Sequence, residues 1–507
     1  MEFQSVLFPG EQAVIKQQPD FFHDLQLDYL LQQIRGYSRV YPIEPLYYTM
    51  PGDIETIRYR QEIYKDLFRD SSLTGAINRF CQIMQESRRA YELSLECENN
   101  TCAASYHLEA ASGYWDALLV LEQGFSGREL TSEGLQAFQE FLHNYLKEAK
   151  EDGWEEDIEA ASRFFSQMQF SLIMETDKMT ILEEKGTQPN FLQELAELLG
   201  SDISEKDLFL PEIFPNKLEL STLEENLVHL LNRSNPALFK ELKEFRRRRQ
   251  NFYSERLLRF EQEIQFYLNF EKFRQRTEGL GYELTMPEFT EDGSFQGKGI
   301  YDMALVWRSA GMKYGVIDND FCYPEVPTFF VVTGPNQGGK TTFARSMGQA
   351  VYFALMGLPV NAKAFQLPFF DGIATHFEAE EEIQSNSGKL KEEINRLAPM
   401  VKSEKKHMFV ILNELFTTAT TYDATIMGKR IVEHFLKMGC YGIYVTHIQE
   451  LAEEKEGVIS LSAQVEEGEE KKRTYRILLM EAQGDGYSES LVKEFFLRYE
   501  DLIRRLS

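Results

Sequence analysis

The stretch "PTFFVVTGPNQGGKTTFARSMGQA", Pro327 to Ala350, constrains the fold more than any other part of the chain. An apolar β-type run enters a glycine-rich turn and leaves it into a helical pattern, with Gly334, Gly339, Lys340 and Thr341 in the GxxxxGK[ST] spacing. Glycines in such a turn let backbone N–H groups close around phosphate oxygens. Lys340 is then in reach of the β and γ phosphates, and Thr341 offers its hydroxyl to a magnesium ion. Two further short apolar runs, "HMFVIL" and "YGIYVTH", follow with helical segments between them. Alternation of this kind predicts an α/β domain with a largely parallel sheet.

Before about residue 285 the texture is different: long stretches rich in Leu, Glu, Gln, Lys and Arg, with few glycines or prolines. "GAINRFCQIMQESRRAYELSLECE" and "TSEGLQAFQEFLHNYLKEAKED" space their apolar residues by three and four, the pattern of amphipathic helices. Ala237 to Glu278 holds no glycine or proline; Ser234 or Asn235 offers a cap, Pro236 suits the first turn, and Gly279 is a stop. At about 1.5 Å per residue a single helix here would extend roughly 60 Å, the dimension of a lever or strut. The change of texture lies near residues 285 to 295, which predicts two domains: 1–288, a helical core and lever domain, and 289–507, a nucleotide-binding α/β domain.

No apolar run approaches the roughly 18 residues needed to span a bilayer, and "MEFQSVLFPGEQ" has no basic-then-apolar leader pattern. The expectation is a cytoplasmic protein without membrane contact. Cys81, Cys97, Cys102, Cys322 and Cys440 are too scattered for a disulfide framework or a CxxC-type metal site, and read as free buried thiols. With 54 Lys and Arg against 81 Asp and Glu, the net charge of −27 argues against indiscriminate attraction to nucleic acid. A local basic face would suffice for it, and the densest is "EFRRRRQNFYSER", Arg246 to Arg249. It reads as a solvated helix face paired with neighbouring glutamates, with a phosphate contact as the alternative.

The wording of the glycine loop carries more. "TGPNQGGKTT" resembles the phosphate loop of the MutS family of DNA mismatch-repair ATPases, TGPNMGGKST, and three more matches follow in order. "GLPVNAKAFQLPFFDGIAT" is similar to the family's segment after the loop helix, "ELFTTATTYDA" to its EIGRGTSTYDG run, and "YVTHIQEL" to its FATHYHEL. The resemblance covers roughly residues 290 to 490, with fainter echoes in "DLQLDYLLQQI" and "MPGDIETIRYRQEIYKDL". It implies an α + α/β architecture, in which a long-helix lever domain precedes a P-loop, ABC-like NTPase domain. Carried over by position, Gly334, Pro335, Asn336, Gln337, Gly338, Gly339, Lys340, Thr341 and Thr342 hold ATP and Mg2+. Glu414 orients the attacking water, His447 senses the γ phosphate, and Asn319 in "GVIDNDF" sits near the adenine. The family composes its sites across a dimer, and "IQSNSGKLKEEI" supplies the candidate partner-facing serines, Ser385 or Ser387.

Three departures qualify the resemblance. Asn413 stands where the family has the aspartate that holds magnesium, usually through water, so a full negative charge is lost beside a divalent cation. "FTTA", Phe416 to Ala419, replaces the family's Gly-Arg-Gly-Thr, while Tyr422 and Asp423 persist. The Phe-x-Glu wedge of mismatch readers is not found; "AFQEF" around Phe138 and Glu140 fits its spacing but lies in an amphipathic helix and reads as packing. The sequence also predicts no nuclease-like or helix-turn-helix module after "LIRRLS". Two expectations stand. One is a DNA-associated ATPase, slow because of Asn413, that dimerises with itself or a family partner and acts on distorted or branched DNA. The other is a weakly cycling ATP-binding switch or scaffold with a protein partner. The ATPase subunit of a transporter fits less well, because no LSGGQ-like segment is present and long helices have no role there.

Overall fold

The computed structural model of the 507-residue chain describes residues 3–10, 12–36, 40–167, 170–174, 179–183, 228, 230–233, 236–310, 315–377, 388–465 and 473–479. The chain divides into two compact units: Met1–Phe3 with Leu67–Leu258, and Gln4–Asp66 with Arg259–Ser507. This division is not the one that composition suggests near residue 288, because it groups Gln4–Asp66 and Arg259–Gly279 with the strand-rich part. The change of texture is visible in the element order, since both larger sheets begin after Pro287.

The first unit is built mainly from the helices Ser71–Glu96, Asn100–Phe125, Glu133–Glu151, Trp154–Gln167 and Pro236–Arg248, with a hairpin of β1 (Phe170–Met174) and β2 (Met179–Glu183). Asp70 caps the first helix by accepting from Ser72 N, and Asn99 caps the second by accepting from Thr101 N and Cys102 N. Each such cap is worth about 1 kcal/mol. The two helices run together closely: a Cβ at Gly124 would lie 2.4 Å from the Cβ of Ala76, so the small residue sets the approach. Asn100–Phe125 buries alanines and aromatics around most of its circumference and forms the centre of this unit. Glu133–Glu151 buries Leu135, Phe138, Leu142 and Leu146. Phe138 of "AFQEF" is therefore a core residue, as its helical spacing predicts.

The expected continuous helix from Ala237 to Glu278 is instead two, Pro236–Arg248 and Glu255–Gly279, and the candidate caps Ser234 and Asn235 lie outside the described residues. Tertiary packing overrides local propensity at the break. Arg249 leaves the helical path to pair with Asp152 and Asp157, with its guanidinium over the ring of Trp154. Phe252, 5% exposed, packs edge-on against Tyr91, His107 and Trp154. Tyr253 shares a hydrogen bond with Ser87, and Ser254 N donates to Tyr114 Oη. Burying one aromatic ring contributes about 1.5–3 kcal/mol, more than the helix propensity forfeited over a few residues.

In the second unit a six-stranded sheet has the order β12-β11-β6-β10-β9-β8 and a four-stranded sheet the order β3-β7-β4-β5. The strands are β3 (Glu288–Phe289), β4 (Phe295–Ile300), β5 (Asn319–Tyr323), β6 (Phe329–Thr333), β7 (Ala364–Leu367), β8 (Ile373–His376), β9 (Phe409–Asn413), β10 (Tyr441–Val445), β11 (Val458–Val465) and β12 (Arg473–Leu479). In the larger sheet β11, β6, β10, β9 and β8 are parallel and only the edge strand β12 is antiparallel. Every residue of β6, β9 and β10 is buried, the pattern of strands covered on both faces. The helix Lys340–Leu355 is buried on nearly all sides, which explains its weak amphipathicity. A Cβ at its Gly348 would strike Leu25 at 2.5 Å and Ile411 at 2.6 Å, so the helix lies between the N-terminal segment and the sheet. Gln349 donates to Leu25 O and Tyr352 to Tyr47 O, fastening it there.

All five cysteines are free, but only Cys81, Cys102 and Cys440 are buried; Cys97 is half-buried and Cys322 exposed. Cys322 alternates outward on β5, whose burial pattern is period-two. Among the described residues no helix is long and apolar enough to cross a membrane.

Candidate functional site

Strand β10 lies between β6 and β9 with all three parallel, so their carboxyl ends meet at one edge of the sheet. That adjacency brings together three sequence-distant segments: the glycine loop after β6, Asn413-Glu414 at the end of β9, and Thr446-His447 after β10. Gly334 and Gly339 have φ of 117° and 93°, values that side-chain-bearing residues rarely adopt. At Gly334 a Cβ would also press on the backbone of Ala463 at 3.0 Å. The loop is thereby shaped by backbone, and its helix starts at Lys340 with the positive end of its dipole toward the loop.

Lys340 is buried, and its ammonium donates to Gly334 O at 2.8 Å and Pro335 O at 3.0 Å. Burial lowers its pKa, while the charge of Glu414 acts in the opposite direction. Thr341 Oγ1 donates to Asn413 Oδ1 at 2.9 Å, so the two expected magnesium residues meet directly. Glu414 occupies a left-handed backbone conformation at φ 53°, with its N–H on Val445 O. Its Oε1 lies 2.9 Å from His447 Nε2.

A cavity of about 610 Å³ opens here. Asn336, Gln337, Gly338, Gly339, Lys340, Thr341, Thr342, Glu414 and Asn319 line it; Gly334, Pro335, Asn413 and His447 do not, but each is hydrogen-bonded to a lining residue. Asn319 reaches the cavity, but its amide is engaged: Nδ2 donates to Tyr475 O and Oδ1 accepts from Ile477 N, tying β5 to β12. An apolar end formed by Ile300, Tyr301, Leu305, Val316 and Ile317 completes the space. Ser385 and Ser387 lie outside the described residues.

Among the lining residues that the motifs do not mark, two come from the edge strand β12. Arg473 Nη1 donates to Gln337 Oε1 at 2.6 Å, and Tyr475, with φ 57°, lies against Gly339. The alternation of basic and β-forming residues in "RTYRILL" was the available signal, but nothing local shows that this strand returns to the glycine loop. The "FTTA" segment is also held: Phe416, at φ 62°, donates its N–H to Glu393 Oε1 at 2.6 Å, and His376 lies 3.7 Å from that carboxylate oxygen.

Among the described residues no group of three or more His, Cys, Asp or Glu side chains is placed to hold a metal ion. The oxygens of Thr341 and Asn413 are hard but neutral donors, and they suit a magnesium ion whose remaining ligands are water and phosphate oxygens.

The fold is a mixed α/β domain with a cleft at the carboxyl ends of its parallel strands. Residues 330–490 match the family model for MutS domain V. The DNA mismatch repair protein MutS of Thermotoga petrophila is 31% identical over 172 residues, which are 34% of this chain and 21% of that protein. The DNA mismatch repair protein MSH6 of Arabidopsis thaliana is 32% identical over 129 residues, 25% of this chain and 10% of that protein. The DNA mismatch repair protein msh-3 of Neurospora crassa is 31% identical over 144 residues, 28% of this chain and 12% of that protein. Residues 330–490 are thus similar to the fifth domain of MutS proteins, and the chain spans only about a tenth to a fifth of the length of these relatives.

Proposed function

We propose that the chain is a DNA-associated ATP-binding protein of the mismatch-repair family that hydrolyses ATP slowly in the presence of magnesium. The observation that carries this reading is the convergence of Lys340, Thr341, Asn413 and the Glu414–His447 pair on one phosphate-sized loop. Lys340 exchanges the loop carbonyls of Gly334 and Pro335 for phosphate oxygens when the nucleotide enters. Glu414 accepts the proton of the attacking water and His447 restrains that carboxylate. Thr341 and Asn413 would hold a magnesium ion, which would supply charge neutralisation to the phosphates. Arg473 fixes the Gln337 side chain through its hydrogen bond, and the apolar end of the cavity receives the base. Dimerisation with itself or a family partner would complete the site through the segment around Ser385 and Ser387. The helical residues 1–288 would couple nucleotide state to DNA, with distorted or branched DNA as the preferred form.

Steady-state ATP turnover of the full chain, with and without duplex, branched and single-stranded DNA, tests the proposal. Turnover above a Lys340→Ala control, altered by one of the DNAs, is the expected result; turnover equal to that control would remove the enzyme reading. A second reading is favoured by the neutral Asn413 and the charge of −27: a weakly cycling switch that binds a protein. ATP binding without turnover, together with no DNA binding at low salt, would select it.

A further inference from the structure

The run Arg246 to Arg249 is not a uniform solvated face. Arg248 and Arg249 are neutralised by Asp157, and Arg249 also by Asp152. Their partners are aspartates far away in sequence, not the neighbouring glutamates. Among the described residues no carboxylate lies within ion-pair distance of Arg246 or Arg247. Both line a cavity of about 440 Å³ in the helical unit, together with Lys243. Its lining contains no acidic residue, in a chain whose net charge is −27. Arg246 is braced there by donating from Nη2 to Ser94 O.

The lining also has an apolar and aromatic part. Tyr91 and Leu95 project one helical turn apart from Ser71–Glu96, and Leu95 is 64% exposed. The Tyr91 ring is fixed by edge contacts to Phe252 and Tyr253 and by a hydrogen bond from its hydroxyl to Gln250 O. The helix Asn100–Phe125 begins at this cavity with Asn100, adding the positive end of its dipole. Buried His107 also lines it; desolvation and the nearby Arg246 charge lower its pKa, against the hydrogen bond that its Nε2–H donates to Arg249 O.

We propose that this cavity is a second, independent ligand site that takes a nucleoside phosphate, with the phosphate on Lys243, Arg246 and Arg247 and the base against Tyr91 and Leu95. Unneutralised arginines beside a fixed aromatic ring are the chemistry that holds a stacked base and its phosphate. The ligand has two sources, a free nucleotide or the 5′-phosphorylated end of a single strand. The inference does not rest on the ATPase reading, because none of these residues belongs to the phosphate-loop cleft.

The test uses the full chain and two probes: thymidine 5′-monophosphate by calorimetry, and a labelled, 5′-phosphorylated thymidine strand of about ten nucleotides by anisotropy, within the usual single-strand site size. The variant K243Q/R246Q/R247Q is expected to weaken binding at least tenfold. For the strand, it should also flatten the log–log salt dependence by about 2, three contacts at roughly 0.7 each. Lys340→Ala should leave the affinity of either probe unchanged. Binding of the mononucleotide assigns the free ligand; binding of the strand alone, lost when its 5′ phosphate is removed, assigns the strand end. Thermal melting checks the triple variant. Should it fail to fold, the single exposed change Arg247→Gln replaces it, with a loss of about threefold. Failure of both probes to bind, equal binding by the variants, or loss of binding in Lys340→Ala would each overturn the proposal.

Discussion

In the strand-rich unit Gly334, Gln337 and Gly339 have φ values of 117°, 59° and 93°, and the loop they shape presents Lys340 and Thr341 whatever side chains surround it. In the helical unit the break at residues 249–254 contains no positive φ, and its course is imposed by rings and ion pairs from other helices. One geometry is held by the backbone and the other by side chains. They should therefore fail in different ways: truncating a side chain should melt the second and leave the first standing, while removing a charge from the first should cost chemistry and not stability.

The sharpest way to break this contrast is Phe252→Ala. Removing a buried ring of that size from the helical unit should destabilise it by about 3–5 kcal/mol. The urea midpoint of tryptophan fluorescence reports it, because Trp154 packs on Phe252 and Trp115 packs on Trp154. A loss under about 1 kcal/mol would mean that the break is not held by its rings. Next in size is Lys340→Ala, expected to lower ATP turnover by two to three orders of magnitude, about 2.7–4 kcal/mol of transition-state stabilisation. The same fluorescence midpoint should not move; if it did, the independence of the two geometries would be lost.

Asn413→Asp has a smaller effect and the opposite sign. It restores a carboxylate 2.9 Å from the Thr341 hydroxyl, so turnover should rise about tenfold, near 1.4 kcal/mol, and saturate at lower magnesium. Unchanged turnover across a magnesium titration would show that this position does not limit the reaction.

The same contrast explains what could be read in advance. The glycine loop is legible because its conformation demands glycine at fixed positions, and the ends of β9 and β10 because buried strands ending in Asn413-Glu414 and Thr446-His447 mark themselves. The break in the long helix was hidden because Arg249 finds its partners about a hundred residues earlier, at Asp152 and Asp157. Arg473 was hidden for the same reason: its contact with Gln337 exists only because β12 returns antiparallel along β11. Asn319 was found by position, yet its amide serves the backbone of β12. Local rules reveal what the backbone must do, and they miss what distant side chains impose.

The smallest effect sharpens the comparison through pH. Burial, with help from Arg246, lowers the pKa of His107 below its ordinary 6.5. The unfolded chain then binds this proton more readily than the folded one, so the stabilisation is complete above pH 6.5 and declines as the pH falls below it. Glu109 and Asp116 on the same helix are raised by burial and act in the other direction, gaining on acidification. The informative quantity is therefore a difference. His107→Asn, which retains an N–H donor for Arg249 O, should show a shallower loss of thermal midpoint between pH 7.5 and 5 than the unaltered protein. The gap should amount to a few degrees at most and appear in the tryptophan signal of the helical unit. Parallel profiles for the two proteins would show that His107 carries no pH sensitivity in this unit, leaving the aromatic packing alone to hold it.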